Sequence, residues 1–450
     1  MLTDLKMRFC AQRCAAPTWR QCVGRMEAGV DAAAVVQGSA SGLVMAQEEE
    51  RLARRSGAIA EIFAAFLKLG LTSFGGPIAH LGYYHRDLVQ RRRWVSEEQY
   101  AQLLALCQFL PGPASTQLGF ALGLTRGGWA GALAAFVAFT APSVVLLLVF
   151  AHLLPMLDHP LGQAAIHGLK LVAVAVVAHG VISMIRTLTP DAPRRLIAIA
   201  ALAIILLTGT AAVQVLAIAT GAVLGFLFCR SATLPQVDAL ELRYTARTGV
   251  LLTGVFAALL AIALIPGITS TSPLASVAAA FYRVGALVFG GGHVVLPLLQ
   301  EAVVTPGWVT QDEFLAGYGA AQAVPGPMFS LAAFLGARIE GVHGAGIGAL
   351  VSLIAIMLPG LLLVAGVLPA WRQITSHPAA ARAVAGVNAA VVGLLAAALY
   401  DPVWTSAISG VRDVLIALVG FVMLTALRAS SLLVVAWCVL AAVLSSLMGV

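Results

Sequence analysis

Apolar stretches separated by short polar ones fill this 450-residue chain from about residue 59 to its end. They run over 59–85, 98–124, 127–155, 162–186, 195–209, 211–229, 248–266, 273–300, 312–337, 343–368, 380–400, 409–427 and 431–449. A helix needs about 20 apolar residues to cross a ~30 Å hydrocarbon core, and most of these stretches reach or approach that length. Glycine and proline interrupt them more often than charge does. The pattern predicts membrane helices, several broken within the bilayer.

The pattern occurs twice. Phe66, Lys68, Gly70, Phe74, Gly75 and Gly76 recur in the same spacing as Phe281, Arg283, Gly285, Phe289, Gly290 and Gly291. A Trp-Val pair follows each copy, Trp94-Val95 and Trp308-Val309. Next come Gln108 with Pro111-Gly112-Pro113, and Gln322 with Pro325-Gly326-Pro327. Such self-similarity in an apolar chain marks a transporter built from two related halves.

Six segments precede 248–266 and six follow it. An odd helix between the copies makes the second enter from the opposite face, so the repeat should be inverted. Charge placement agrees. The loop after the first motif carries Arg86, Arg91, Arg92 and Arg93, whereas 301–313 carries Glu301, Asp312 and Glu313 and no Lys or Arg. Only one of two such loops can face the cytoplasm. A full crossing by 59–85 would place those arginines outside. Ile59 to Phe74 as a helix is only about 24 Å long, which favours a re-entrant hairpin over a kinked span.

Composition narrows the class. Hydrophobic residues make up 60% and charged residues 10%, against about 25% charged in soluble domains. The net charge of +7 sits in short loops, as cytoplasmic loops require, and is no nucleic-acid footprint. Cys107, Cys229 and Cys438 lie in apolar segments and read as packing residues. Cys10, Cys14 and Cys22 show no metal-ligand spacing with His. No P-loop, Rossmann fingerprint, zinc-ligand cluster or nucleophile elbow is present. We therefore expect no metal, no cofactor, no enzyme activity and no ATP-driven transport by this chain alone.

The breaks carry the candidate chemistry. Proline cannot continue a helix behind it but pre-organises one ahead. Gly75-Gly76-Pro77 and Pro111-Gly112-Pro113 should each end one half-helix and begin another at membrane depth. The new N-termini would present unpaired N–H groups and a positive dipole end to an anion. Thr72, Ser73, Ser115 and Thr116 stand beside them. The second half supplies Gly290, Gly291, His293 and Ser330 with its own Pro-Gly-Pro. The bland alternative is that these residues only kink helices for packing, and a polar chamber beside Pro77 and Pro113 would decide against it. Lys68 and Arg283 hold one position in the two copies; an intramembrane cation marks a substrate path or snorkels to the interface. Gln108 and Gln322 could donate to an anion or bridge helices. His80, His179 and His293 are the candidates for proton coupling. Trp94 and Trp308 read as interfacial anchors.

Phe66-Leu67-Lys68-Leu69-Gly70, Ser73-Phe74-Gly75-Gly76-Pro77, Trp94-Val95 and Gln108 to Pro113 together resemble the chromate ion transporter family. Gly285 to His293 and Gln322 to Pro327 resemble its second domain. The resemblance covers about 58–430. It implies a two-domain bacterial inner-membrane protein that exports chromate, driven by the proton-motive force, with thirteen spans. Gly292-His293 stands where the first copy has Pro77-Ile78, so the two halves need not bind equally.

The expected protein is an all-α polytopic membrane transporter. Its two homologous halves lie in inverted topology, with broken or re-entrant helices at Gly-Gly and Pro-Gly-Pro. Residues 1–57 form a cytoplasmic leader, with Met45 an alternative start, and 58–229 the N-terminal transport domain. Residues 230–247 are a linker, 248–272 a connecting helix and 273–450 the C-terminal domain. The N-terminus is cytoplasmic and the C-terminus periplasmic. Partners are the lipid bilayer and chromate or sulfate, with a homodimer left open. The rival readings are a sulfate or other oxyanion importer and, less favoured, a membrane-embedded enzyme or structural subunit.

Overall fold

The computed structural model describes residues 58–74, 76–208, 211–230, 244–265, 272–289, 294–341, 344–375 and 378–448, and contains no strand among them. The chain divides into Met1–Ala60 and Glu61–Val450. In the first unit only 58–60 are described, so the leader expected over 1–57 lies outside the described residues. So does most of the linker expected over 230–247.

The first series of helices is α1 (58–72), α2 (Gly76–Tyr84, continued by a π-helical turn His85–Arg91), α3 (Glu97–Phe109), α4 (Ala114–Leu153), α5 (Pro160–Leu188), α6 (Ala192–Thr208) and α7 (Ala211–Phe228). Helix α8 (Ala246–Ala263) stands between the series. The second is α9 (Pro273–Leu287), α10 (Val295–Val303), α11 (Gln311–Ala323), α12 (Leu331–Arg338), α13 (Ala345–Val367), α14 (Pro378–Ala398), α15 (Val411–Thr425) and α16 (Ser431–Leu447).

The series match element for element. Both α3 and α11 begin on a capping box. Ser96 Oγ accepts from Gln99 N–H at 3.2 Å while Gln99 Oε1 accepts from Ser96 N–H at 3.1 Å. Thr310 and Glu313 repeat the exchange at 3.2 and 3.3 Å. Such a box satisfies two orphan donors and fixes where the helix starts. The following Pro-Gly-Pro fixes where it stops. At 13 residues each, α3 and α11 are about 20 Å long, too short to cross the core.

One expected boundary falls inside α4. The sequence separates 98–124 from 127–155 at Thr125-Arg126. The structure breaks the helix at Gly128, whose φ 65° and ψ −155° are not helical. A Cβ on Gly123 would lie 2.5 Å from Gly131 C=O, so the second half of α4 turns back along the first. Glycine takes that conformation without steric cost, so the direction changes without a loop. In the second series α12 and α13 are separate.

Among the described residues five stretches are long and apolar enough to cross a membrane: Ala114–Leu157, Pro160–Leu188, Ala246–Ala263, Ala345–Ala370 and Ala379–Ala407. Large apolar side chains such as Leu196, Leu207, Val250, Leu251, Leu415 and Leu440 are exposed on α6, α8, α15 and α16. Apolar surface of this extent on many helices requires lipid.

The halves exchange helices. From the first, α5 packs on α15 and α16 of the second; α14 packs on α6 and α7 of the first. At the contacts Gly168 backs onto Cys438–Val439, and Gly386 onto Gly221 and Gly225. Small residues permit this close approach of membrane helices. The two halves are thus woven together rather than set side by side.

Candidate functional site: the crossing of the helix breaks

The four breaks meet in pairs. Gly112 N–H, in the first Pro-Gly-Pro, donates to Val288 C=O at 2.7 Å. Gly326 N–H, in the second, donates to Ser73 C=O at 3.0 Å. Val288 and Ser73 hold the same place in the two copies, each just before the Phe of the Phe-Gly-Gly motif. Each Pro-Gly-Pro is therefore docked on the residue that precedes the Phe-Gly-Gly motif of the other half, and the reciprocity defines a pseudo-twofold relation.

Glycine is required at both centres. Gly112 has φ 123° and Gly326 φ 104°. A Cβ on Gly112 would lie 2.8 Å from Gln117 Nε2 and 2.9 Å from Gly360 Cα on α13. On Gly326 it would meet Ser143 Oγ at 3.1 Å and Phe139 O at 3.3 Å on α4. Two-fold equivalent long helices thus press on the two breaks.

The sequence expects free N–H groups here. Those of Gly112 and Gly326 are instead bonded across the halves. The donors at the start of α4 are those of Ala114, Ser115 and Thr116, since its first helical bond is Gln117 N–H to Pro113 C=O at 2.9 Å. Pro113 is buried against α13, close to Gly360, and the polar groups beside it are packed shut.

Those polar groups bond in small sets. Gln117 Nε2 donates to Pro111 C=O at 2.8 Å and to Gly360 C=O at 3.2 Å. Ser330 Oγ donates to Pro327 C=O and lies 2.6 Å from Ser143 Oγ; Ser143 Oγ donates to Thr140 C=O at 2.8 Å. His80 Nε2 lies 3.1 Å from Ser73 C=O, and its ring meets Phe139 edge-on at 5.4 Å. With Nε2–H donating, Nδ1 is an acceptor unless it is protonated. Ser73 Oγ, His80 Nδ1, Thr116 Oγ1, Gln117 Oε1 and Thr140 Oγ1 are buried with no hydrogen-bond partner among the described residues. Each such group costs about 1–3 kcal/mol. Ser73, Thr116 and Thr140 among them are hydroxyls that can donate.

Of the sequence-derived candidates, the crossing gathers Ser73, Pro111, Gly112, Pro113, Ser115, Thr116, Pro325, Gly326, Pro327, Ser330 and His80, all buried. Gly76 opens α2 with φ 75°. Gln322 is buried with Nε2 3.1 Å from Met328 Sδ. Lys68, Thr72, Gln108 and Arg283 are exposed. The Thr72 hydroxyl turns back to Lys68 C=O at 2.7 Å; Lys68 and Arg283 have no ion-pair partner among the described residues. His179 is half-buried on α5 with Nδ1 unpartnered among those residues. Gly75, Gly290, Gly291 and His293 lie outside the described residues.

Sequence reasoning missed Gln117, Thr140 and Ser143. The available signal was a polar triplet, Ser115-Thr116-Gln117, directly after Pro-Gly-Pro, and Thr140 and Ser143 flanking Pro142 in an apolar run. It also missed the ion pairs that clasp the ends. Glu61 binds Arg126 at 2.8 Å and Arg92 at 3.6 Å, and takes a hydrogen bond from Trp94 Nε1 at 3.2 Å, so Trp94 does more than anchor. Glu313 holds Arg338 at 2.5 Å, and Lys170 holds Asp312 at 2.5 Å. A separate crevice of about 680 Å³ lies at the start of α5, lined by Gln163, His167, Ser409, Asp413 and Ser445 among others. It shares no residue with the crossing.

A duplicated set of interrupted helices, exchanged between halves and sealed around buried polar groups, defines a polytopic membrane transporter. The chain belongs to the chromate transporter family: the family profile, described as "Chromate transporter", matches residues 60–226 and again 275–445. A probable chromate transport protein of Synechococcus elongatus is 32% identical over 74% of this chain and 82% of its own length. Chromate transport proteins of Pseudomonas aeruginosa and Cupriavidus metallidurans are 28% and 29% identical, over 76% and 74% of this chain and 80% of each relative. No solved structure matches the chain.

Proposed function

We propose that the protein exports chromate across the bacterial inner membrane, drawing on the proton-motive force, and thereby confers chromate resistance. The observation that carries this reading is the buried, unpartnered polar set at the crossing. Ser73 and Thr116 offer hydroxyl hydrogens, and the first turn of α4 offers N–H groups and its dipole. This is the chemistry a tetrahedral oxyanion needs. Such donors gain most where water is excluded.

The described conformation is the closed one. The Gly112–Val288 and Gly326–Ser73 bonds hold the halves together, and rocking one half against the other would open the crossing to alternate faces. Lys68 and Arg283, exposed at matched positions, would raise the local anion concentration. The arginines 86–93 would face the cytoplasm, with the N-terminus, and the C-terminus would face the periplasm. The domains would run over 58–229 and 273–450, joined by the linker and α8. A potential negative inside favours outward movement of anions by about 2.3 kcal/mol per charge per 100 mV. His80, touching Ser73 C=O, is the proton acceptor of choice at the crossing.

Inside-out vesicles test the reading. Energised vesicles should accumulate chromate, and sulfate, alike in shape and charge, should compete. Accumulation of sulfate by intact cells without chromate movement in vesicles would contradict export and favour an importer.

A further inference from the structure

We propose that Lys170 is the cation that engages the transported oxyanion on the α11 side of the crossing, and that Asp312 holds it while the site is empty. This rests on the functional reading above and adds a specificity-determining residue to it.

Lys170 lies inside the apolar helix α5, where a cation is costly and marks a path or a partner. Its side chain is 12% exposed, and Nζ lies 2.5 Å from Asp312 Oδ1 in the first turn of α11. The neighbouring Leu169 C=O backs directly onto Gly319, so α5 crosses α11 at that level. Asp312 stands seven residues before Gly319 and Gly326 seven after it. On the side toward Asp312 this is about 10 Å of helix. Lys170 is therefore rooted about midway between the acid and the Pro-Gly-Pro. Its flexible four-carbon stem lies along α11 toward Asp312 and can be turned the other way, toward the crossing.

The two adjacent acids are differently committed. Glu313 serves the capping box of Thr310 and also binds Arg338. The Asp312 side chain is 67% exposed and has no structural partner but Lys170 among the described residues. An exposed carboxylate is solvated well without its lysine, so a dianion at the crossing can compete for Lys170. The repeat adds a second argument. Pro160, Gly168 and Lys170 of α5 correspond to Pro378, Gly386 and Asn388 of α14. Asn388 has a buried Oδ1 with no partner among the described residues. The corresponding positions of the two halves thus carry a charge in one and an amide in the other. The plain alternative is a lysine that snorkels to an acid and does nothing else.

Chromate and sulfate binding to the purified full-length protein, with flux in proteoliposomes, separates these. Lys170→Gln should weaken chromate binding at least tenfold and raise KM more than it lowers kcat, with Lys170→Arg retaining most of the affinity. Asp312→Asn, which frees the lysine, should bind chromate as tightly as the parent or more tightly. The exchange Lys170→Asp with Asp312→Lys should restore thermal stability but not binding. The proposal is overturned if Lys170→Gln binds chromate like the parent, or if the charge exchange restores binding along with stability, since the pair would then be a strut. A parent protein that binds neither anion would sink the functional reading itself, which is a different result.

Discussion

Gly112→Ala and Gly326→Ala should each reduce chromate transport below a tenth of the parent rate and lower the melting temperature. Alanine at positive φ costs about 1–2 kcal/mol. Forcing a methyl into a packed contact adds about 1–3 kcal/mol. Here the methyl meets Gln117 Nε2 and Gly360 Cα, or Ser143 Oγ and Phe139 O. It would also push apart the Gly112–Val288 and Gly326–Ser73 bonds, which hold each break on the other half. Gly82→Ala, on α2, is the control: nothing lies within 4 Å of its added Cβ, and transport should be unchanged. Flux in proteoliposomes and thermal unfolding of the same preparations make the comparison. Parent-like transport by both crossing variants would mean that the breaks need not close on each other.

The second large effect is expected at His80. It is fully buried, touches Ser73 C=O at 3.1 Å and rests on Phe139, with Tyr84 packed on the same phenylalanine. No charged side chain is in contact with it among the described residues. Protonated, it would place a full positive charge beside Ser73 and a second donor at Nδ1. A hydrogen bond to a charged group contributes about 1.5–3 kcal/mol, equivalent to roughly 10–100-fold in affinity. His80→Gln should lose at least tenfold in chromate flux. The remaining flux should respond to membrane potential but no longer to an imposed pH gradient. His179→Gln, away from the breaks, should keep the pH-gradient response. If His80→Gln keeps that response in full, the proton is carried elsewhere.

The breaks were legible in the sequence because proline and glycine act locally. Pro-Gly-Pro removes donors and stops a helix wherever it stands, so the ends of α3 and α11 followed from spacing alone. What each break touches was not legible, because it depends on residues some 180–250 positions away. The pairing of Gly112 with Val288, and of Gly326 with Ser73, arises from tertiary packing of the woven halves. Gln117 and Ser143 look like packing residues until their carbonyl partners are seen. Lys170 was hidden the same way. Lys68 and Arg283 stood out through the repeat, yet the structure leaves them exposed. A motif shared by two halves reports shared geometry, and that geometry need not point at the ligand. The break between 98–124 and 127–155 was legible at Thr125-Arg126, and the structure places it at Gly128, where a positive φ ends one helix and starts the next.

The central claim is that the oxyanion sits where the interrupted helices cross. A structure determined with chromate bound, the chromium located by its anomalous signal, tests it most directly. The account expects chromate oxygens within hydrogen-bond distance of Thr116 and Ser73, against the first turn of α4. Chromium found outside the crossing, for example in the crevice beside His167 and Asp413, with Gly112 and Gly326 still docked and the buried hydroxyls untouched, would contradict it.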